Sequence, residues 1–299
     1  MESYTGELAA LGTAFFWTIT ALAFESAGKR VGSLSLNLIR LCIGFAFLTL
    51  FVTFFRGAPL PLDAGSHQWI WLGLSGLIGF TIGDYLLFKG FILIGSRISM
   101  LLMALVPPLT ALIGWVVMGE RLSPANLLGM ALVVGGISSV VLDRSSDQRQ
   151  VKFTRPLRGI LAAFGGAVGQ AVGLVLSKYG MGDFDAFAAT QIRIIAGVAG
   201  FALVVTVTRL WPRVASALRD KKAMTTMTLG SFFGPFLGVS FSLLAVKHTA
   251  TGIAATIMAI VPVLIIAPSV VLFKEKVTLR EIVGAVLAVG GVAVLFLLD

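Results

Sequence analysis

Long apolar stretches separated by short polar segments run along almost the whole chain. Each stretch holds about 20 mostly apolar residues, the length that a helix needs to cross the hydrocarbon core of a bilayer. The apolar positions do not alternate with polar ones, so the pattern predicts helices and not the strands of a barrel. We therefore predict an all-α integral membrane protein with ten transmembrane helices, at residues 7–27, 34–55, 68–89, 96–117, 124–142, 158–179, 185–209, 224–246, 250–272 and 279–298.

The second half of the chain repeats the first, after a displacement of 153 positions in the front part of each half and of 155 positions further on. Each half contains an odd number of predicted helices, so the second copy would lie upside down relative to the first. We predict two inverted five-helix repeats, residues 1–142 and 157–299, joined by a polar linker at 143–156. Such repeats are typical of carriers with a binding site near the middle of the membrane. The corresponding residues include Pro107 and Pro262, Glu120 and Glu275, and the pairs Gly135-Gly136 and Gly290-Gly291.

Two helix starts occupy equivalent places before the fifth and the tenth predicted helices. Ser123 followed by Pro124 is typical of an N-cap with proline at the first helical position. Thr278 with Glu281 is typical of a capping box. The equivalence of these two signals supports the repeat independently of the identical residues.

The charge distribution predicts an orientation in the membrane. The chain is 57% hydrophobic and 12% charged, with a formal net charge of +9. In a soluble protein that charge would suggest a nucleic-acid partner, but in a membrane protein it reflects basic loops on the cytoplasmic side. Most of the 23 Lys and Arg residues follow the predicted helices 1, 3, 5, 7 and 9. We therefore predict a multi-pass protein of the cell (inner) membrane, with a cytoplasmic linker and both termini outside.

The sequence contains no recognisable catalytic, metal-binding or nucleotide-binding pattern. Cys42 is the single cysteine, and His67 and His248 are isolated, which predicts that there is no metal site and no disulfide. The glycine run from Gly165 to Gly173 lies inside a predicted helix and lacks a following Lys-Ser/Thr, so it predicts close helix packing and not a phosphate loop. We predict a protein that is not an enzyme and needs no cofactor; a membrane enzyme or scaffold is the disfavoured alternative.

One group of residues in the first repeat carries a resemblance to a known family. The group consists of Gly83, Asp84 and Phe88, then Gly95 and Arg97, the mid-helix Pro107, and Gly119 with Glu120. Together with the two five-helix copies, it resembles the EamA family of the drug/metabolite transporter superfamily. The resemblance implies a ten-helix carrier that moves amino acids, other small metabolites or toxic compounds, with a central cavity lined mainly by helices 1, 3, 4, 6, 8 and 9. It also implies cytoplasmic termini, which disagrees with the orientation that the charge count predicts.

Three charged residues inside predicted helices are the first candidates for a site. Arg40 and Arg193 are equivalent in the two repeats, and a guanidinium binds a carboxylate in a bidentate fork. They could equally snorkel to the interface or form a lock between states, and inversion predicts that they lie towards opposite membrane faces. Asp84 is a candidate for proton coupling because burial favours its neutral form. The alternative for Asp84 is a salt bridge to Lys89, Arg97 or a neighbouring helix.

Aromatic, amide and thioether side chains at mid-depth complete the predicted site. Trp17 and Gln170 are equivalent in the two repeats and suit a ligand with a planar or apolar group, although Trp17 could also be a packing residue. Pro107 and Pro262 each free a backbone carbonyl and are predicted hinges, with flexible Met residues one turn before them suited to a permissive pocket. Glu25, Lys178 and three tryptophans near helix ends are predicted to lie at the interface. The remaining predicted substrate-binding residues are Met103, Met258, Phe80, Tyr85, Phe236 and Ser240, of which Ser240 is the repeat partner of Tyr85.

These observations favour a secondary transporter of small metabolites, predicted to be an exporter, that works by alternating access around a cavity between the repeats. The alternative on the same fold is a flippase for a lipid-linked substrate, for which a laterally open groove would be expected. The predicted partners are a small-molecule substrate, the lipid bilayer and a coupling proton, with facilitated diffusion equally consistent. A monomer or a weak homodimer is expected, because one chain already supplies both repeats.

Overall fold

The computed structural model describes residues 4–118, 123–144, 151–153, 155–249, 251–274 and 276–297. This part of the chain is helical apart from one pair of three-residue strands. Within it, nine helical stretches are long and apolar enough to cross a membrane. These stretches are Thr5–Val31, Ser33–Arg56, Ser66–Ile94, Ser96–Ile113, Pro124–Val141, Leu157–Met181, Ala186–Val207, Lys221–His248 and Thr256–Phe273.

Several of the stretches are built from shorter segments. The first repeat contains α1 (Thr5–Val31), α2 (Ser33–Arg56), α3 (Ser66–Gly76), the π-helical segment π1 (Leu77–Asp84), α4 (Tyr85–Ile94), α5 (Ser96–Met103), α6 (Val106–Met118) and α7 (Pro124–Val141). The second contains α8 (Leu157–Met181), α9 (Ala186–Val207), α10 (Trp211–Arg219), α11 (Lys221–Ser231), π2 (Phe232–Gly238), α12 (Val239–His248), α13 (Thr251–Met258), α14 (Val261–Leu264), α15 (Ile266–Phe273) and α16 (Leu279–Leu297).

Two short elements lie between the long helical stretches: a pair of strands and the helix α10. The strands β1 (Leu142–Arg144) and β2 (Val151–Phe153) pair antiparallel, so an early and a late part of the predicted polar linker lie side by side. The helix α10 lies between two predicted helices and was not predicted.

Three residues of the sequence patterns, Gly119, Glu120 and Glu275, lie outside the described residues.

Both predicted helix caps are present. Ser123 Oγ accepts a hydrogen bond from the backbone N–H of Asn126 at 3.2 Å, and Asn126 Oδ1 accepts from the backbone N–H of Ser123 at 2.7 Å. At the equivalent place, Glu281 accepts from the N–H of Thr278 at 2.9 Å. Each pair satisfies backbone donors that a helix start would leave without partners. The caps fix where α7 and α16 begin.

Glycine allows the two repeats to meet backbone to backbone. A Cβ placed on Gly169 of α8 would lie 2.6 Å from the Cα of Gly83, and one on Gly173 would lie 3.0 Å from the Cα of Gly79. These contacts confirm the predicted packing role of the glycine run in α8. They bring α8 directly against π1, which is where the candidate site forms.

The third helical stretch of each repeat changes from an α-helix to a π-helix and back. In the first repeat the π segment is π1, and in the second it is π2, which contains Pro235. A π segment rotates the residues that follow it relative to a regular helix and leaves backbone groups with altered partners. Its occurrence at equivalent places in both repeats shows that the duplication extends to this local irregularity.

The helix interruptions lie just before the predicted hinge prolines. Between α5 and α6 the backbone N–H groups of Ala104 and Leu105 bond three residues back, at 3.1 Å each, instead of four. Between α13 and α14 the N–H of Ile260 does the same at 3.3 Å. Because Pro107 and Pro262 cannot donate to the preceding turn, the helix tightens and restarts at each of them.

Candidate functional site

A cavity of about 930 Å³ lies among helices of both repeats. The family resemblance implied a wall from helices 1, 3, 4, 6, 8 and 9. The structure adds the second, fifth and seventh stretches, because Arg40 of α2, Asn126 of α7 and Arg193 of α9 line the cavity. Ten predicted residues line the cavity: Trp17, Arg40, Phe80, Asp84, Met103, Pro107, Gln170, Arg193, Met258 and Pro262.

Three predicted site residues are not among the described residues that line the cavity. Tyr85 follows Asp84 directly and therefore points to another side of the helix, where its ring lies 5.9 Å from Nζ of Lys89. Phe236 packs among other rings, with its centroid 5.6 Å from that of Phe51. Ser240 is fully buried away from the cavity, and its neighbour Val239 lines the wall instead.

The centre of the site is a buried ion pair between α2 and π1. Arg40 is 3% exposed and Asp84 is 6% exposed, and Nη2 of Arg40 donates to Oδ2 of Asp84. Nε of Arg40 donates to Oδ1 of Asn37 at 2.9 Å, and its guanidinium carbon lies 4.6 Å from the centre of the Phe88 ring. Arg40 therefore does not snorkel to the interface, and the salt bridge expected for Asp84 is made to a neighbouring helix.

The second oxygen of Asp84 is also engaged. Nε2 of Gln170 donates to Oδ1 of Asp84 at 2.5 Å and approaches the carbonyl oxygen of Gly79 at 3.1 Å. Gly79 lies within π1, where the regular helical bonding is broken, so the amide provides a partner for a carbonyl of that segment. The close contact of α8 with π1 places Gln170 from the second repeat on the carboxylate from the first.

Arg193 completes the group from the opposite repeat. Its side chain is 4% exposed, and its Nε has no hydrogen-bond partner among the described residues. Its guanidinium carbon lies 4.7 Å from the centre of the Phe80 ring, and the guanidinium of Arg40 lies 5.8 Å from the same centre. Arg40 lies near the start of α2, which follows the end of α1, and Arg193 lies near the start of α9, which follows the end of α8. The two guanidinium groups nevertheless converge on one aromatic ring next to one carboxylate.

Sequence reasoning missed several residues around this group. Asn37 orients Arg40 from one helical turn away, and its spacing of three residues within an apolar stretch was a readable signal. Trp71 and Lys178, predicted to lie at the interface, also line the cavity. Distance from a helix end predicts depth in the membrane but not the direction in which a side chain points.

Ion pairs join the helix ends beyond one side of the cavity. Glu25, near the end of α1, is fully buried, and it accepts from the backbone N–H of Ser96 at 2.6 Å and pairs with Lys29. Nη1 of Arg97 donates to Glu281 of α16 at 2.9 Å. These contacts hold the end of α1 and the beginnings of α5 and α16 together.

A further pair on the same side links α1 to α11. Arg30 lies 2.8 Å from Asp220, which also accepts from the backbone N–H of Ala223 at 3.0 Å. The hydrogen bond from Arg30 and the cap to α11 hold the pKa of Asp220 below its usual value. At the opposite end of the bundle, where α8 ends, the cavity wall includes Lys178 and Tyr179.

Comparison with known proteins gives a consistent result. The family model of EamA-like transporters matches residues 4–142 and 157–297, so two copies cover nearly the whole chain. Among solved structures 28 chains match. One is a crystal structure of a protein 24% identical to this chain, covering 99% of this chain and 98% of its own, with a TM-score of 0.64. That similarity shows the fold. A comparison with curated proteins found no match.

Proposed function

The chain belongs to the EamA-like transporter family of the drug/metabolite transporter superfamily, and we propose that it is a secondary transporter that exports small metabolites such as amino acids or amphipathic compounds. Its apolar helices make it a multi-pass membrane protein. The observation that carries the proposal is the cavity, which both repeats line and which holds a polar group at its centre.

The proposed architecture is ten membrane-crossing helices in two inverted repeats, residues 1–142 and 157–299, with the linker at 143–156. In this arrangement α16 is the tenth crossing, since it occupies the last predicted stretch and packs along α7. The equivalent π segments, helix interruptions and caps support the duplication. The distribution of the basic residues supports the proposed orientation, with the linker in the cytoplasm and the termini outside the cell membrane.

We propose alternating access as the mechanism. Ion pairs close the bundle beyond one end of the cavity, whereas the wall reaches Tyr179 at the other end. The interruptions at Pro107 and Pro262 lie in equivalent wall helices and would let each helix bend without breaking further hydrogen bonds. Rocking of these helices would exchange the open and the closed ends around a fixed site.

Protons are the proposed coupling ion, with Asp84 as the group that binds them. Protonation of Asp84 would cancel its charge and release Arg40 from the ion pair. This step would couple the charge at the centre of the cavity to its conformation. Asp84→Asn is then expected to remove the pH dependence of transport, and transport by the folded variant that still follows pH would exclude this role.

Solute counterflow in proteoliposomes tests the transport function. Purified protein would be loaded with a pool of amino acids, amines, carboxylates and nucleosides and then assayed for uptake of each labelled member. Because counterflow needs no imposed gradient, it does not presuppose the coupling ion. Uptake of one chemical class that is lost in Arg40→Gln supports the proposal, with Arg56→Gln, outside the cavity wall, as the matched control for charge loss. No counterflow by folded protein would contradict it and favour a flippase for lipid-linked substrates.

A further inference from the structure

The charged residues of the cavity wall do not balance. Among the described residues, the buried part of the wall carries two guanidinium groups, Arg40 and Arg193, and one carboxylate, Asp84. An apolar cavity with excess positive charge attracts anions and repels cations, because its low-dielectric wall screens charge poorly. The charged residues of the wall therefore favour ligands with a negative charge.

The single carboxylate is already engaged. One oxygen of Asp84 accepts from Arg40 and the other from Gln170. An ammonium group that entered the cavity would have to displace one of these donors and would lie close to the two guanidinium groups. The cavity therefore offers no ready acceptor for the amino group of an amine or of an amino acid.

Arg193, in contrast, has capacity to bind. It is buried at the wall, its Nε has no hydrogen-bond partner among the described residues, and its guanidinium stacks near Phe80. Asp84 acts on Arg193 only at longer range, since Arg40 is the residue that pairs with it directly. A buried guanidinium with an unsatisfied donor is costly unless an anion completes it.

The rest of the wall is apolar and partly aromatic. Trp17, Trp71, Phe80, Phe88 and Phe91 line it, together with aliphatic and Met side chains. Flat rings and flexible thioethers accept an aromatic or aliphatic body without demanding one shape. The wall thus combines one anion-binding point with a permissive apolar surface.

We propose that the substrates are organic carboxylates with an apolar body and no ammonium group, and that Arg193 binds the carboxylate. This inference rests on the proposed transport function and narrows its substrate range. A carboxylate on Arg193 would form paired N–H···O bonds in the plane of the guanidinium. Zwitterionic amino acids would bind more weakly than the matching carboxylates, and amines would be excluded.

The experiment uses sets of three ligands that share one apolar group. Within each set, one ligand carries a carboxylate, one carries both a carboxylate and an ammonium group, and one carries an ammonium group alone. The phenyl set is 3-phenylpropionate, phenylalanine and 2-phenylethylamine; the indole set is indole-3-propionate, tryptophan and tryptamine; the alkyl set is hexanoate, norleucine and pentylamine. Each is added to purified full-length protein in detergent at neutral pH. Binding is read as a rise in melting temperature and, for the phenyl and alkyl sets, also as a change in tryptophan fluorescence. Working in detergent avoids the passive leak of weak acids through liposomes.

Within any set that binds, we expect the carboxylate to have the highest affinity, the amino acid a lower affinity and the amine no detectable binding. Arg193→Gln is expected to weaken carboxylate binding by roughly tenfold or more, because a charged hydrogen-bond donor is lost. Arg193→Lys keeps the charge without the planar fork and is expected to bind at an intermediate level. Arg213→Gln, on α10 outside the cavity wall, is the matched control and should leave binding unchanged.

Contrary results are separable from a failure of the transport proposal. Preferential binding of an amine or amino acid, equal carboxylate binding by folded Arg193→Gln, or no binding in any set overturns the inference about substrate class. Counterflow of some other solute would still support the proposal that the protein is a transporter. Carboxylate binding without any counterflow would instead support the site and contradict transport.

Discussion

Neutralising Asp84 is expected to cost more stability than neutralising its partner Arg40. Asp84→Asn keeps the shape of the side chain but leaves two buried guanidinium groups, Arg40 and Arg193, without a counterion. Removing one partner of a buried pair typically costs about 3–5 kcal/mol. Arg40→Gln leaves Asp84 with Arg193 as a remaining cation nearby, so its cost should lie below that of Asp84→Asn.

The double variant separates the pair from its surroundings. Arg40→Gln with Asp84→Asn leaves two neutral amides that can still hydrogen-bond, so its cost should be less than the sum of the two single costs. Arg56→Gln breaks the solvent-accessible pair of Arg56 with Asp63, 2.6 Å apart and 25% and 57% exposed, and should cost less than about 1 kcal/mol. Reversible unfolding in mixed micelles, followed by circular dichroism, measures all four variants.

Two outcomes would refute this reasoning. Additive single and double costs would mean that Arg40 and Asp84 are not coupled. A larger cost for Arg40→Gln than for Asp84→Asn would mean that Arg193 cannot act as a second counterion. Either result would contradict the arrangement of charges at the centre of the cavity that the structure shows.

Three further predictions follow from the packing, the surface and the hinges. Gly136→Ala should lower the free energy of unfolding by about 1–3 kcal/mol, since its Cβ would lie 2.6 Å from a carbonyl oxygen of α16. Gly135→Ala, with open space within 4 Å, should leave the melting temperature unchanged or raise it. Equal effects of the two substitutions would contradict the close packing of α7 on α16. The depressed pKa of Asp220 means that its pairing with Arg30 stabilises the protein above the unfolded pKa of about 3.9 and is lost as the pH falls through the folded value. The melting difference between wild type and Asp220→Asn should therefore disappear in acid, and a difference independent of pH would contradict the assignment. Pro262→Ala should restore a backbone donor, slow counterflow and leave half-saturation unchanged; unaltered exchange rates would exclude a hinge.

Much of the helical architecture is readable from the sequence because it depends on local patterns. Length and hydropathy predict each stretch, and the caps at Ser123 and Thr278 predict where two helices begin. The prolines predicted the interruptions, which occur two or three residues earlier because the lost donor affects the preceding turn. The π segments were not predicted, since no residue pattern in Leu77–Asp84 specifies a bond to the fifth residue.

The sequence predicted most of the residues that line the candidate site, but it did not predict which of their side chains contact one another. Arg40 and Asp84 are 44 positions apart, and only the packing of α2 on the third stretch brings them together. The symmetry of the repeats does not predict that the side chains of Arg40 and Arg193 converge beside Asp84, which has no acidic counterpart in the second repeat. Tyr85 was included by proximity in sequence, and one residue along a helix is enough to turn it away from the cavity.

Two-sided labelling of a cavity residue is the most direct test of the central claim that this cavity is an alternating-access site. Met103→Cys lines the wall at a helix interruption, and Cys42→Ser removes the one native thiol. A membrane-impermeant thiol reagent is applied to either side of oriented proteoliposomes, with the Cys42→Ser protein as the unlabelled control. The account predicts labelling from one side at rest and from the other side as well during substrate exchange. Labelling confined to one side under every condition, or absent from both, would contradict it.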